Sequence, residues 1–199
     1  SPISNKVKTF HIDITSEDTV KKASSHITNQ SIDLIVVATG ILHDDGIVPE
    51  KRISDLNPMN MRKLYEVNTI GPAMIAKYFI PLLDSTEKSV FAVLSARVGS
   101  IKDNSLGGWT SYRASKAALN MIIKTISIET ARTIPNAIIV GLHPGTVDTN
   151  LSKPFQKNIS KEKLFSPNYT VEKLLSVINN LEAKDSGGFF AWDGKQIDY

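Results

Sequence analysis

The chain of 199 residues contains no cysteine, which excludes disulfides and thiolate metal sites and suits a reducing compartment. It also has no apolar run near the roughly twenty residues that a membrane-spanning helix needs, and its opening, SPISNKVKTF, lacks the apolar core of a secretory leader. A soluble cytoplasmic protein without a membrane partner is therefore expected. No metal-ligand spacing is present: His11 and His143 fall at the ends of apolar runs, His26 lies in a helical pattern, and the HDD triplet at 43–45 has no matching partners. No metal site is expected. Basic runs are missing too. The net charge is +3 and the isoelectric point about 9.0, but the lysines are scattered and no aromatics interleave them, so nucleic acid is not an expected partner. Internal repeats and low-complexity linkers do not occur.

What is present is apolar content of 41%, enough for one sizeable core and a single domain over residues 1–199. Short apolar runs alternate with helical patterns. Val7 to Ile12 reads as a strand, followed by a helix capped by Thr15 or Ser16 with Val20, Ala23 and Ile27 on one face. IDLIVVAT (32–39) is nearly continuously apolar, as expected of a strand buried on both faces of a parallel sheet. Helices over about 59–79, 110–131 and 171–181 then precede strands at 89–95, 136–142 and 187–192. This alternation predicts an α/β doubly wound parallel sheet with helices on both faces, and in such a sheet ligands bind at the carboxyl ends of the strands. The loops at those ends, ATGILHDDG, SARVGSIKDNSLGGW and HPGTVDTN, are rich in small and hydrogen-bonding residues.

Two Tyr-x-x-x-Lys matches occur, Tyr112 with Lys116 and Tyr169 with Lys173, where five tyrosines and eighteen lysines give about 0.45 by chance, so spacing alone decides nothing. On a helix both pairs share a face. Ala114, Ser115, Ala117 and Ala118 leave room for a flat ligand or a packed helix around the first pair, whereas the second reads as a solvated first turn. An ammonium beside a tyrosine favours the phenolate and would lower its pKa toward the range of a general acid or base. Asn68 lies four residues before Pro72, which has no N–H for the Asn68 carbonyl; this is either a simple kink or a freed oxygen that holds a water. Trp109 and Trp192 read as packing residues, with Trp109 also placed to wall a pocket. Met121, Ile122 and Ile126 are surplus apolar positions on the 110–131 helix, suited to packing a second subunit.

The order ATG after a buried strand, Asn68 in a kinked helix, Tyr112-x-x-x-Lys116, then Pro144-Gly145 with Thr149, resembles the short-chain dehydrogenases/reductases. More narrowly, ILHDDGIVPEKRI, SARVGSIKDNSLGGW, YRASKAALNM and GGFFAWDGKQI are similar to the C-factor-like branch, over Val7 to the C-terminus. The resemblance implies an oxidoreductase that interconverts an alcohol and a carbonyl with NADP or NAD, NADP being preferred, and that assembles as a homodimer or homotetramer. It implies Tyr112 as acid/base, Lys116 on the nicotinamide ribose and beside the tyrosine, and Asn68 supporting a relay water. Asp13 and Ile14 match the adenine cap, Ala38, Thr39 and Gly40 the adenine-ribose loop, and Pro144, Gly145, Val147 and Thr149 the nicotinamide end.

Two departures stand out. The family's catalytic serine position holds Ala96, and Ser95 or Ser100 is left to replace it, with neither favoured. The strand and Gly-x-x-x-Gly-x-Gly turn that open the family's fold, which cradle the pyrophosphate against a helix N-terminus, do not occur here. The sheet is therefore expected to have a gap between VKTFHI and IDLIVVAT, and an N-terminal βαβ portion on the order of forty residues is expected to precede the chain. A non-catalytic binding or signalling protein on the same scaffold is the alternative. Within the enzyme class, a reductase selective for a pterin-like ring or a lipid carbonyl is the runner-up.

Overall fold

A computed structural model describes residues 7–28 and 30–199. Residues 1–6, which carry part of the expected absence of a leader, lie outside the described residues. Four strands, β1 (Leu34–Val37), β2 (Ser89–Leu94), β3 (Ala137–His143) and β6 (Phe189–Ala191), pair in the order β1-β2-β3-β6, every pair parallel. β4 (Thr146–Val147) and β5 (Leu164–Phe165) make a separate two-stranded ribbon. Alternation along the strands divides the core. Phe91, Val93, Ile139 and Val37 pack with Val20 of α1 (Glu17–Ser24), Ile75 of α3 (Gly71–Phe79) and Leu119 of α4 (Thr110–Thr133). Val90, Ala92, Ile138 and Val140 pack instead with Leu174, Val177 and Ile178 of α5 (Pro167–Asn180). Helices on both faces of a parallel sheet are the architecture expected from the alternating runs.

The first two strands depart from expectation. Residues 7–12 are not a strand: they pair with nothing and leave Val7 55%, Phe10 46% and Ile12 40% exposed. An apolar pattern sets which face a strand would bury but cannot supply a neighbour, and no strand lies between this segment and β1 among the described residues. β1 is accordingly an edge strand, not one buried on both faces. Ile35 and Val37 face the α1 and α3 side, while Leu34 and Val36, in register with Val90 and Ala92, face the α5 side and stand 37% and 45% exposed.

The helix expected over 59–79 is interrupted. α2 (Pro58–Tyr65), capped by the Asn57 side chain, widens into a π-turn over Glu66–Ile70 before α3 begins. Pro72 has no N–H to offer Asn68, and the Gly71 N–H reaches back five residues to the Glu66 carbonyl, so the ladder loosens at Asn68. α5 starts four residues earlier than the apolar pattern suggests, because Ser166 caps it and Pro167 suits its first turn. Among the described residues no helix is long and apolar enough to cross a membrane.

Candidate active site

The loops after β1, β2 and β3 converge on one cavity of about 1140 Å³. Its wall takes Ala38, Gly40 and Leu42 from the first loop, Ala96, Arg97 and Val98 from the second, and Pro144, Gly145, Val147 and Thr149 from the third, with Tyr112 of α4.

Tyr112 and Lys116 stand one turn apart near the N-terminus of α4, 7% and 3% exposed. The Lys116 Nζ donates to the Leu94 carbonyl at the end of β2 (3.0 Å) and lies 5.9 Å from the Tyr112 ring centre. Burial pushes the Tyr112 hydroxyl up to about 12 and the Lys116 ammonium down to about 8. Proximity of the ammonium predicts a lowered tyrosine pKa; in this structure desolvation is the stronger effect, and the ammonium is directed at a carbonyl. Gly99 permits the close approach of the β2 loop to this helix: a Cβ there would lie 2.7 Å from Lys116 Cβ. A Cβ on Gly40 would lie 3.3 Å from Asn68 Oδ1 and 3.4 Å from Lys116 Nζ, so loop, lysine and asparagine meet at one point.

Asn68 is fully buried and its side chain is committed. Its Oδ1 accepts from the Ile41 N–H (2.8 Å), and its Nδ2 donates to the Ile41 carbonyl (2.9 Å) and to Ser115 Oγ (3.1 Å). Ser115 Oγ donates in turn to the Tyr112 carbonyl (2.8 Å). The amide is thus a brace between the first loop and the tyrosine's helix turn, and its side chain is not free for the expected relay water. Ser115 carries no site signal in the sequence; its place beside Asn68 emerges only when the π-turn packs on α4.

Neither candidate serine reaches the cavity. Ser95 Oγ donates to Asn120 Oδ1 (2.7 Å) in the interior, and Ser100 Oγ accepts from the Asp103 N–H (3.1 Å) with 1% exposure, whereas Ala96 is on the wall. Asp13, Ile14 and Thr39 also lie off the wall. The Asp13 carboxylate accepts from the Thr15 N–H and hydroxyl, which lower its pKa, and Ile14 packs against Gly71 of α3.

Aromatic rings close one side. Trp109 packs edge-on against Phe155 (4.9 Å) and Tyr112 (6.3 Å), and Phe155 meets His43 (5.7 Å). His43 Nε2 donates to the Leu151 carbonyl (3.1 Å), tying the first loop to the third. His143, also on the wall, is pushed down to about 4 by burial and the neighbouring Arg97, so it is neutral at physiological pH. Thr170, near the start of α5, lines the cavity, and its hydroxyl is the one buried side-chain polar atom without a partner among the described residues. A free buried hydroxyl, a glycine loop against the lysine and the small residues of Pro144–Thr149 fit the nicotinamide and ribose end of a dinucleotide. The described residues include no glycine-rich cradle for its pyrophosphate.

Comparison with known proteins bears on the family and the fold. The family profile described as short chain dehydrogenase matches residues 2–160. The C-signal of Myxococcus xanthus is 31% identical over 73% of this chain and 82% of its own length. The 1-hydroxy-2-glutathionyl-2-methyl-3-butene dehydrogenase of Rhodococcus sp. is 30% identical over 92% of this chain and 76% of its own. The NADPH-bound carbonyl reductase from chicken fatty liver superposes with a TM-score of 0.81 at 26% identity, covering 94% of this chain and 75% of that one. Fold, motif order and these similarities together show that the chain belongs to the short-chain dehydrogenase/reductase family of oxidoreductases.

Proposed function

We propose that the protein interconverts an alcohol and a carbonyl with a nicotinamide dinucleotide, NADP ahead of NAD, with Tyr112 as the acid/base. The observation that carries this reading is the burial of Tyr112 and Lys116 side by side where three strand-end loops meet a cavity. A hydroxyl held up to about 12 is protonated at neutral pH, so it donates a hydrogen bond to a carbonyl oxygen and releases its proton as that oxygen becomes an alkoxide. Lys116, near 8, is mostly an ammonium at pH 7 and stabilises the phenolate left behind. Ala38, Gly40, Pro144, Gly145, Val147, Thr149 and Lys116 would hold the nicotinamide half, with Asp13, Ile14 and Thr39 toward the adenine. When bound, the dinucleotide supplies or takes up the hydride. The preference for NADP draws on the carbonyl reductase named above, which is NADPH-bound.

Leu42, Val98, Trp109 and Phe155 favour an apolar carbonyl, and a flat ring or a lipid chain suits that wall. A second reading, a binding or signalling protein without turnover, is favoured by Ala96, which removes a hydroxyl that would hold the substrate oxygen. The free edge of β1 is where a further strand would pair, within a single domain. Assembly as a homodimer or homotetramer would use α4, where Met121 is 67% exposed; Ile122 and Ile126 are half-buried on the same helix. A monomer by light scattering at micromolar concentration contradicts the assembly.

The test is NADPH oxidation by the purified protein with a panel of apolar aldehydes and ketones. Saturable, carbonyl-dependent oxidation is expected. NADPH binding without turnover on any of them would favour the second reading.

A further inference from the structure

α4 begins in an unusual way. Gly107, Gly108 and Trp109 are three consecutive residues with positive φ (+64°, +65° and +52°), and Trp109 is the one non-glycine residue in this region among the described residues. A tryptophan gains nothing there and bears backbone strain, so the conformation persists only if its surroundings fix it. Trp109 is also the N-cap of α4 and provides no side-chain cap, which leaves the first turn of this 24-residue helix without a local acceptor for its N–H groups.

The missing acceptor comes from far away in the chain. Glu50, in the loop after β1, is 5% exposed. Its Oε2 accepts from the Ser111 N–H (3.2 Å) and its Oε1 accepts from the Ser111 hydroxyl. Its backbone carbonyl takes the Trp109 N–H. A Cβ on Gly108 would meet that same carbonyl at an ordinary 3.5 Å, so it is the positive φ and not the approach that calls for glycine there. On the other side Arg113 ties the strut down, donating from Nε to the Gly108 carbonyl (2.9 Å) and from Nη2 to the Gly107 carbonyl (3.0 Å). A buried carboxylate at a helix N-terminus is favoured by the helix dipole as well as by its hydrogen bonds.

Residues 109–113 are thus held from both sides, and Tyr112 is among them. We infer that Glu50 is a positioning residue: it caps the helix that carries Tyr112 and, with Arg113, fixes the left-handed strut that sets both Tyr112 and the Trp109 wall. The inference rests on Tyr112 being the proton donor for its catalytic consequence, but not for the capping itself. Glu50 itself does not line the cavity, and its side chain makes no contact with the tyrosine hydroxyl. It acts through Ser111.

Glu50→Ala removes both acceptors. Glu50→Gln keeps one oxygen for the Ser111 N–H and offers an amide N–H to the Ser111 hydroxyl, so it restores the cap without the charge. Two readouts separate the capping from the catalytic reading: amide hydrogen exchange over residues 109–116, which needs no activity, and kcat against KM with NADPH and an apolar carbonyl. For Glu50→Ala, exchange at the first turn of α4 should speed by at least about tenfold, and kcat should fall by at least about tenfold with KM changed less than about threefold, since proton-donor misplacement acts on the chemical step. Glu50→Gln should recover most of both. Ser111→Ala, a smaller perturbation, should shift exchange in the same direction if Glu50→Ala does not fold. Unchanged exchange in Glu50→Ala, or in Ser111→Ala where that variant stands in, overturns the proposal whatever the activity. Faster exchange with unchanged kcat overturns the positioning role and leaves a structural cap. Faster exchange in Glu50→Ala, where the wild-type protein itself shows no turnover, supports the cap and counts against the enzyme reading alone.

Discussion

Tyr112–Lys116 and Tyr169–Lys173 have the same spacing and nearly the same local geometry, with the lysine nitrogen 5.9 Å from the ring centre in one pair and 5.4 Å in the other. Their surroundings are opposite. Tyr112 is 7% exposed, on a helix packed against β3 on one side and the π-turn on the other. Tyr169 is 38% exposed and rests on Phe165 and Trp192, with Lys173 in solvent. A cation over a ring at an exposed site contributes only about 0.5–1 kcal/mol and no chemistry. In the proposed reading, chemistry at the first pair comes from removal of water, which drives the two pKa values apart, the tyrosine up and the lysine down, and from the loops that bring a cavity to the hydroxyl.

Exchanging the lysines tests this contrast most strongly. Lys116→Met should lower kcat/KM by about a hundredfold or more, as loss of a charge that stabilises the phenolate predicts, and should weaken NADPH binding; Lys173→Met should leave both within about twofold. Steady-state kinetics and NADPH fluorescence titration read both. Equal effects would erase the distinction.

Next in size is Asn68→Ala, which removes three buried hydrogen bonds and leaves the Ile41 groups unpaired. It should cost about 2–4 kcal/mol in chemical denaturation. Gly99→Ala, which would crowd Lys116 Cβ and its backbone, should cost about 1–3 kcal/mol and reduce activity by displacing the β2 loop from the pair.

The smallest expected effect is on the pH dependence of stability. Lys116 has its pKa lowered from 10.5 to about 8 by folding, so between these values the unfolded chain holds more protons and stability rises with pH; below pH 8 the full cost of burying the ammonium is present. Tyr112, raised from 10.0 to about 12, acts the other way and loses its contribution as pH climbs through that interval. The unfolding free energy from urea titrations should therefore rise from pH 8 to pH 10 by an amount on the order of 1–3 kcal/mol, and Lys116→Met should flatten that rise. An unchanged slope in the variant would show that the lysine is not desolvated.

The sequence revealed the sheet and the contrast between the two Tyr-x-x-x-Lys pairs because both are written locally. Continuous apolar runs such as SVFAVL and AIIVGLH coincide with β2 and β3, and the small residues beside Tyr112 are the ones that let α4 pack closely. Residues 7–12 show the limit, since their pattern is that of a strand but pairing depends on a neighbour that no pattern reports. The serines show another. Ser95 and Ser100 are both within a few residues of Ala96, but alternation along the end of β2 turns Ser95 to Asn120, and the turn at Arg97–Gly99 carries Ser100 into the interior. The sign of the Tyr112 shift was also out of reach, because a spacing rule gives proximity of charges and not the depth of burial that outweighs it. Glu50 left no local trace either: its partner is 61 residues away, and the only hint is that a tryptophan stands where a capping residue is needed.

The most direct test of the central claim is a side-by-side measurement of carbonyl-dependent NADPH oxidation by Tyr112→Phe and Tyr169→Phe, each checked for native unfolding behaviour. Loss of the acid/base should lower kcat by about a thousandfold in Tyr112→Phe, within the range for general acid catalysis, and leave Tyr169→Phe near wild type. Turnover retained in a folded Tyr112→Phe protein would contradict the assignment and leave the buried pair as a feature of packing.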